Sequence, residues 1–170
     1  MGKVRDKQTA DGKKFQKMLQ ELSRLEVRVG IQGGESYPDG TKVLEVALWN
    51  ELGTEQIPAR PFLRNSVDAH EEEIHQMMDA VKRLLMKGGS AEEALRYMGE
   101  RQKKLIQKEI VDGIFAPNAP ITIHGGWMRN KKSGKAVLIK GKQSARPLID
   151  SGTLRQSIHS VIQEKGKGRE

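Results

Sequence analysis

The chain has 170 residues, no cysteine and a formal net charge of +8, with 36% apolar and 4% aromatic residues. That length suits one domain with a modest core, and the lack of cysteine excludes a disulfide framework and a thiolate metal site. No apolar run approaches the roughly 18 residues of a membrane span, and Met1-Gly2-Lys3-Val4-Arg5 leads into polar sequence without a signal-peptide core, so a soluble protein made in the cytoplasm is expected.

Residues 1–11 are expected to be a flexible start to a single α+β domain over 12–163, with a flexible tail over 164–170. Across 12–23, Phe15, Met18, Leu19 and Leu22 recur at helical spacing opposite Lys13, Lys14, Lys17 and Glu21. Leu25, Val27, Val29 and Ile31 then alternate with Glu26, Arg28, Gly30 and Gln32, which predicts a strand with one buried face. Gly33-Gly34 and Pro38-Asp39-Gly40 make a loop, with Thr41 able to cap the next helix. That loop lacks both the Lys-Ser/Thr end of a Walker motif and the GxGxxG spacing, so it is not read as a phosphate cradle. Val43, Leu44, Val46, Ala47, Leu48, Trp49 and Leu52 predict a short helix apolar around most of its circumference, hence buried.

The chain is organised around the corner after this helix. Gly53 supplies positive φ at the helix end, Pro58 and Pro61 push Ile57 and Arg60 toward extended backbone, and Pro61 is a natural first helical residue. From Phe62 the periodicity predicts one long helix through Leu85, stopped at Gly88-Gly89. Ser90 and Glu93 form a capping box for a second long helix carrying Leu95, Met98, Leu105, Ile106 and Ile110. The short connection makes the two helices antiparallel neighbours. The fold expected is thus α+β, a small antiparallel sheet packed with two long antiparallel helices.

Over 113–147 the periodicity lapses into a long basic loop. It carries Arg129, Lys131, Lys132, Lys135, Lys140, Lys142 and Arg146 and no acid, a candidate partner-binding loop. The run Val137-Leu138-Ile139 suggests a short hairpin across Lys132-Ser133-Gly134-Lys135. Residues 148–157 read as a turn into a short helix, and 158–162 as a closing strand.

Chemistry finds little to work with. His70 and His75 are five apart, which turns them roughly 140° from each other at about 100° per residue. They cannot share a metal on one helix, and Glu71, Glu72 and Glu73 read instead as a surface helix N-terminus. Ser151 and Ser157 lack a Gly-x-Ser-x-Gly elbow, and Glu51 has no second carboxylate placed to work with it. Neither catalysis nor a cofactor is expected. The basic charge alone raises nucleic-acid binding, but Phe115 and Trp127 are too few aromatics for a single-strand platform.

Two segments carry a resemblance. The first is Trp49-Asn50-Glu51-Leu52-Gly53-Thr54 running into Ile57-Pro58-Ala59-Arg60-Pro61-Phe62-Leu63-Arg64; the second is Pro147-Leu148-Ile149-Asp150-Ser151-Gly152-Thr153-Leu154-Arg155-Gln156-Ser157-Ile158. Together they resemble the neck or tail-completion proteins of tailed bacteriophages, also called virion morphogenesis or minor tail proteins. In that family an aromatic-x-E-x-G-T stretch leads into P-A-R-P-F-L-R, and a second motif reads D-T-G-x-L-x-x-S-I. Ser151 stands here for the threonine. The second motif comes after the first, as in members that precede it with a stretch like Pro117-Asn118-Ala119-Pro120.

The resemblance implies a structural virion protein forming a ring, commonly of six subunits, between head connector and tail. Its expected partners are further copies of itself, the head connector, and tail-terminator or tail-tube proteins. It also implies interface or structural roles for Trp49, Glu51, Gly53, Thr54, Pro58, Arg60, Pro61, Phe62, Arg64, Asp150, Gly152 and Leu154. A tail terminator ring is the alternative within the same class. A prophage-borne nucleic-acid-binding accessory protein is the alternative outside it, and DNA contact is the less favoured use of the basic loop.

Overall fold

The computed structural model describes residues 9–130, 134–142 and 144–166. Lys131 and Lys132 of the basic loop, residues 1–8 of the expected flexible start and residues 167–170 of the expected tail lie outside them. The described residues form an α+β fold of seven helices and four strands, divided between two compact units. Among them no helix is long and apolar enough to cross a membrane.

The described residues of the first unit fall within Met1–Gly30, His70–Lys104 and His159–Glu170. Helix α1 (Ala10–Arg24) starts before the expected position, because Thr9 caps it by accepting the Gly12 N–H on its hydroxyl. Strand β1 (Leu25–Ile31) comes directly after it and pairs with β4 (Ile158–Glu164). Lys165 N donates to Arg24 O and Gln163 reaches Glu26, so the end of β4 lies beside the start of β1, an antiparallel pair. All seven residues of β1 are half-buried, rather than alternating between a buried and an open face. A sheet of two strands does not give one face a deep core.

Helix α4 (Glu71–Met86) ends as expected. Gly88 has positive φ, Gly89 N donates to Leu84 O and Gly88 N to Leu85 O, the paired bonds of a Schellman stop. The capping box also forms: Glu93 N donates to Ser90 Oγ and Ser90 N to Glu93 Oε2. It opens α5 (Ala91–Asp112). Buried Met18, Met77, Val81, Ala91, Ala94 and Leu95 are the apolar core of this unit. At Gly99 a Cβ would come within 2.8 Å of Val27 and 2.9 Å of Ser160, so α5 passes over both strands with no side chain between.

The single long helix expected from Phe62 to Leu85 is instead two. Helix α3 (Phe62–Asp68) ends at Ala69, whose N–H still bonds Asn65 O, and His70 leaves helical geometry at φ −126°, ψ 32°. Glu71, Glu72 and Glu73 favour a helix N-terminus wherever one forms, and they re-start the chain as α4. His70, just ahead of that N-terminus, is buried, with Nδ1 3.3 Å from Glu73 Oε1.

The second unit comprises Ile31–Ala69 and Leu105–Ile158. It holds α2 (Val43–Leu52), α3, the end of α5, α6 (Pro120–His124), the hairpin β2 (Gly126–Arg129) and β3 (Ala136–Ile139), and α7 (Thr153–Gln156). Within the expected basic loop the chain therefore forms a helix and a hairpin, with Trp127 opposite Leu138 and Met128 opposite Val137. Val43, Ala47, Phe62, Ile106, Ile110, Leu154 and Ile158 are its buried apolar residues. Helix α2 departs from expectation: Val43 and Ala47 are buried, but Leu44, Leu48, Trp49 and Leu52 are exposed. Lys42 rather than Thr41 stands at its N-cap, and Thr41 N donates to Asp39 Oδ1.

Candidate functional site

The corner is held by side chains bonded to backbone. Helix α2 stops at Gly53, φ 76°, where a Cβ would come within 2.9 Å of Ala59 N, so positive φ and close approach both require glycine. Thr54 closes the turn: its N–H donates to Ile57 O, and its hydroxyl accepts from Gln56 N and Ile57 N. Pro61, expected as the first helical residue, is the N-cap of α3 and offers no side-chain bond to it. The cap comes from Glu51. Its carboxylate accepts Leu63 N at 2.8 Å and Arg64 N at 3.1 Å, placing a negative charge at the start of α3.

Arg60 is the centre of the arrangement. It is only 6% exposed, and its three nitrogens donate to Ala116 O (2.8 Å), Asn50 Oδ1 (2.9 Å) and Pro117 O (2.9 Å). Burial lowers its pKa, yet a guanidinium stays charged at any ordinary pH. Its backbone N–H bonds Asn50 O, and Asn50 in turn donates to Val46 O. One side chain thus ties the end of α2 to the chain leaving α5.

The second motif reaches the same place. Leu154 is buried in α7, which packs on α2. Gly152, φ 81°, turns the chain into α7, beside a 2.6 Å contact between the Ser151 and Thr153 hydroxyls. Lys142, read from sequence as a partner-binding cation, is half-buried and donates to Arg146 O and Ile149 O. Burial pushes its amine down, against the pull of Asp150 and with the push of Arg60. Asn118 donates to Ala145 O and Arg146 O, a second strut. Its only signal in the sequence is its place in the Pro-Asn-Ala-Pro stretch.

Between these segments lies a cavity of about 370 Å³, with Tyr37, Pro58, Arg60, Lys142, Asp150 and Leu154 among its walls. Its charges are mixed. Burial, then Asp150 and Asp39, raise the Tyr37 phenol above its ordinary value. Among the described residues no three His, Asp or Glu side chains are grouped to hold a metal ion.

Of the remaining residues singled out from sequence, Phe62 is buried; Trp49, Pro58, Arg64, Arg129, Lys135, Lys140, Arg146 and Asp150 are exposed. Arg64 joins the corner through its backbone N–H. The two motifs, far apart along the chain, therefore meet in one unit, while Arg129, Lys135 and Lys140 stand on its exposed surface. No family model, curated protein or solved structure matches this chain.

Proposed function

We propose that the chain is a structural protein of a tailed-bacteriophage virion, made in the host cytoplasm, that forms a ring in the neck and joins the head connector to the tail. The observation that carries this reading is the convergence of the two motifs. The segments behind the resemblance are joined in one braced unit, in which Arg60 and Glu51 hold backbone groups. Buried charge used to fix chain geometry suits a part that must keep its shape in an assembly.

In this reading the partners are further copies of the chain, the head connector, and tail-terminator or tail-tube proteins. Loss of the gene should leave filled heads and complete but unattached tails, restored by the protein in trans. Labelled antibody should mark the head–tail junction in electron micrographs. Label at the distal tail tip, or normal particles without the protein, would overturn the reading. Label confined to the upper end of free tails would assign the tail terminator ring instead. The basic segment favours one further reading, an accessory protein on nucleic acid. Duplex binding by the isolated protein that weakens steeply with salt would support it.

A further inference from the structure

Two apolar surfaces of the second unit are left open. One is the outer face of α2, where Leu44, Leu48 and Leu52 recur at four-residue steps with Trp49 beside them, all exposed. The other is the β2–β3 hairpin, where Trp127 and Leu138 sit directly opposite each other and are 72% and 62% exposed. A two-stranded hairpin is marginal in water without something packed on a face. Contiguous exposed apolar residues of this size mark a surface that associates.

Charge says what covers them. Residues 33–59, around α2, carry Glu35, Asp39, Glu45, Glu51 and Glu55 against Lys42 alone. Residues 113–149, around the hairpin, carry seven lysines and arginines and no acid. Glu45 and Glu55 are exposed on the first surface, and Arg129, Lys135 and Lys140 on the second. Pairing α2 with α2, or hairpin with hairpin, would bring like charges together, whereas α2 against hairpin brings unlike ones.

We propose that the β2–β3 hairpin of one copy packs its Trp127 and Leu138 face onto the Leu44, Leu48, Trp49 and Leu52 face of α2 in a second copy. The contact joins two different surfaces, so each pair keeps one free surface of each kind, and the series closes only as a ring. Trp127 is the anchor, since a large aromatic enclosed at the centre of an interface dominates its energy. The contact rests on the ring-forming reading proposed for the chain and names the surfaces that make the ring.

The chain has no cysteine, so single cysteines report contacts between copies without interference. Leu48→Cys and Leu138→Cys are made separately in the full chain, oxidised alone and as an equal mixture, and resolved without reductant. The mixture is expected to give at least about tenfold more covalent dimer than either variant alone, and high salt to reduce the yield. Self-dimers as abundant as the mixed one, or no dimer from the mixture, would overturn the contact. Trp127→Ser and Trp49→Ser add a second measurement: each should lower the native mass of the assembly, and mixing them should restore a one-to-one pair. A ring seen by native mass that yields no mixed dimer overturns the contact and leaves the ring. A mixed dimer from a protein whose loss leaves virions normal overturns the neck reading and leaves the contact.

Discussion

Arg60 shows how much one side chain can be asked to hold. Truncation to alanine leaves Ala116 O, Pro117 O and Asn50 Oδ1 without their donor; at about 1–3 kcal/mol for a buried unsatisfied group, with partial relief by water, a loss of about 2–4 kcal/mol is expected. Arg60→Lys should recover little, because one ammonium cannot reproduce three donors fixed in a plane. Urea midpoints check both, and an alanine variant within about 0.5 kcal/mol of the parent would show that the brace is dispensable. Tyr37 offers a pH test. Its raised pKa means the folded state holds the phenol proton more tightly than the unfolded state does. The associated stability is present below the ordinary phenol value of 10.0 and is lost as pH rises through the raised one. Tyr37→Phe should remove that part of the decline, and parallel stability curves for parent and variant from about pH 9 to about pH 11 would contradict it.

Among the elements, Gly99 sets two effects against each other. Alanine in a helix interior is ordinarily favoured over glycine by about 1 kcal/mol. Here the added Cβ would sit 2.8 Å from Val27 and 2.9 Å from Ser160, and overpacking of that kind costs about 1–3 kcal/mol. Gly99→Ala should therefore lower the melting temperature, and a rise would mean that the strands yield. That closeness could not be read from the sequence, where Gly99 merely interrupts a helical pattern. The helix ends were more legible. Ser90 with Glu93, Gly88-Gly89 and Gly53 use local rules, and each forms as expected. What stayed hidden was long-range. The half-open circumference of α2 depends on what fails to cover it, whereas the start of α4 at Glu71 falls where Glu71, Glu72 and Glu73 signal a helix N-terminus. Of the candidate site, the corner residues were legible because Gly, Pro and Thr announce their backbone, whereas two of the three acceptors of the Arg60 side chain lie 56 and 57 positions downstream.

At the scale of the whole chain, the charge of +8 is less informative than its distribution, acidic around α2 and basic around the hairpin. Composition alone raises nucleic acid as a partner, whereas the contact proposed between copies is argued from placement. The brace by Glu51 also bears on the order in which the chain folds. Helix α3 has seven residues, too few to persist alone in water. Its first turn is capped by a carboxylate twelve positions upstream, which arrives only once the corner has closed. Helix α3 should thus be among the last pieces to form and the first to fray. Glu51→Gln, which keeps the shape and removes the charge, should weaken the protein by about 0.5–1 kcal/mol. That loss should appear in stopped-flow traces as faster unfolding with folding nearly unchanged. Slower folding with unchanged unfolding would place the corner in the nucleus instead, and the motif that resembles an assembly joint would also be where the chain begins to find its fold.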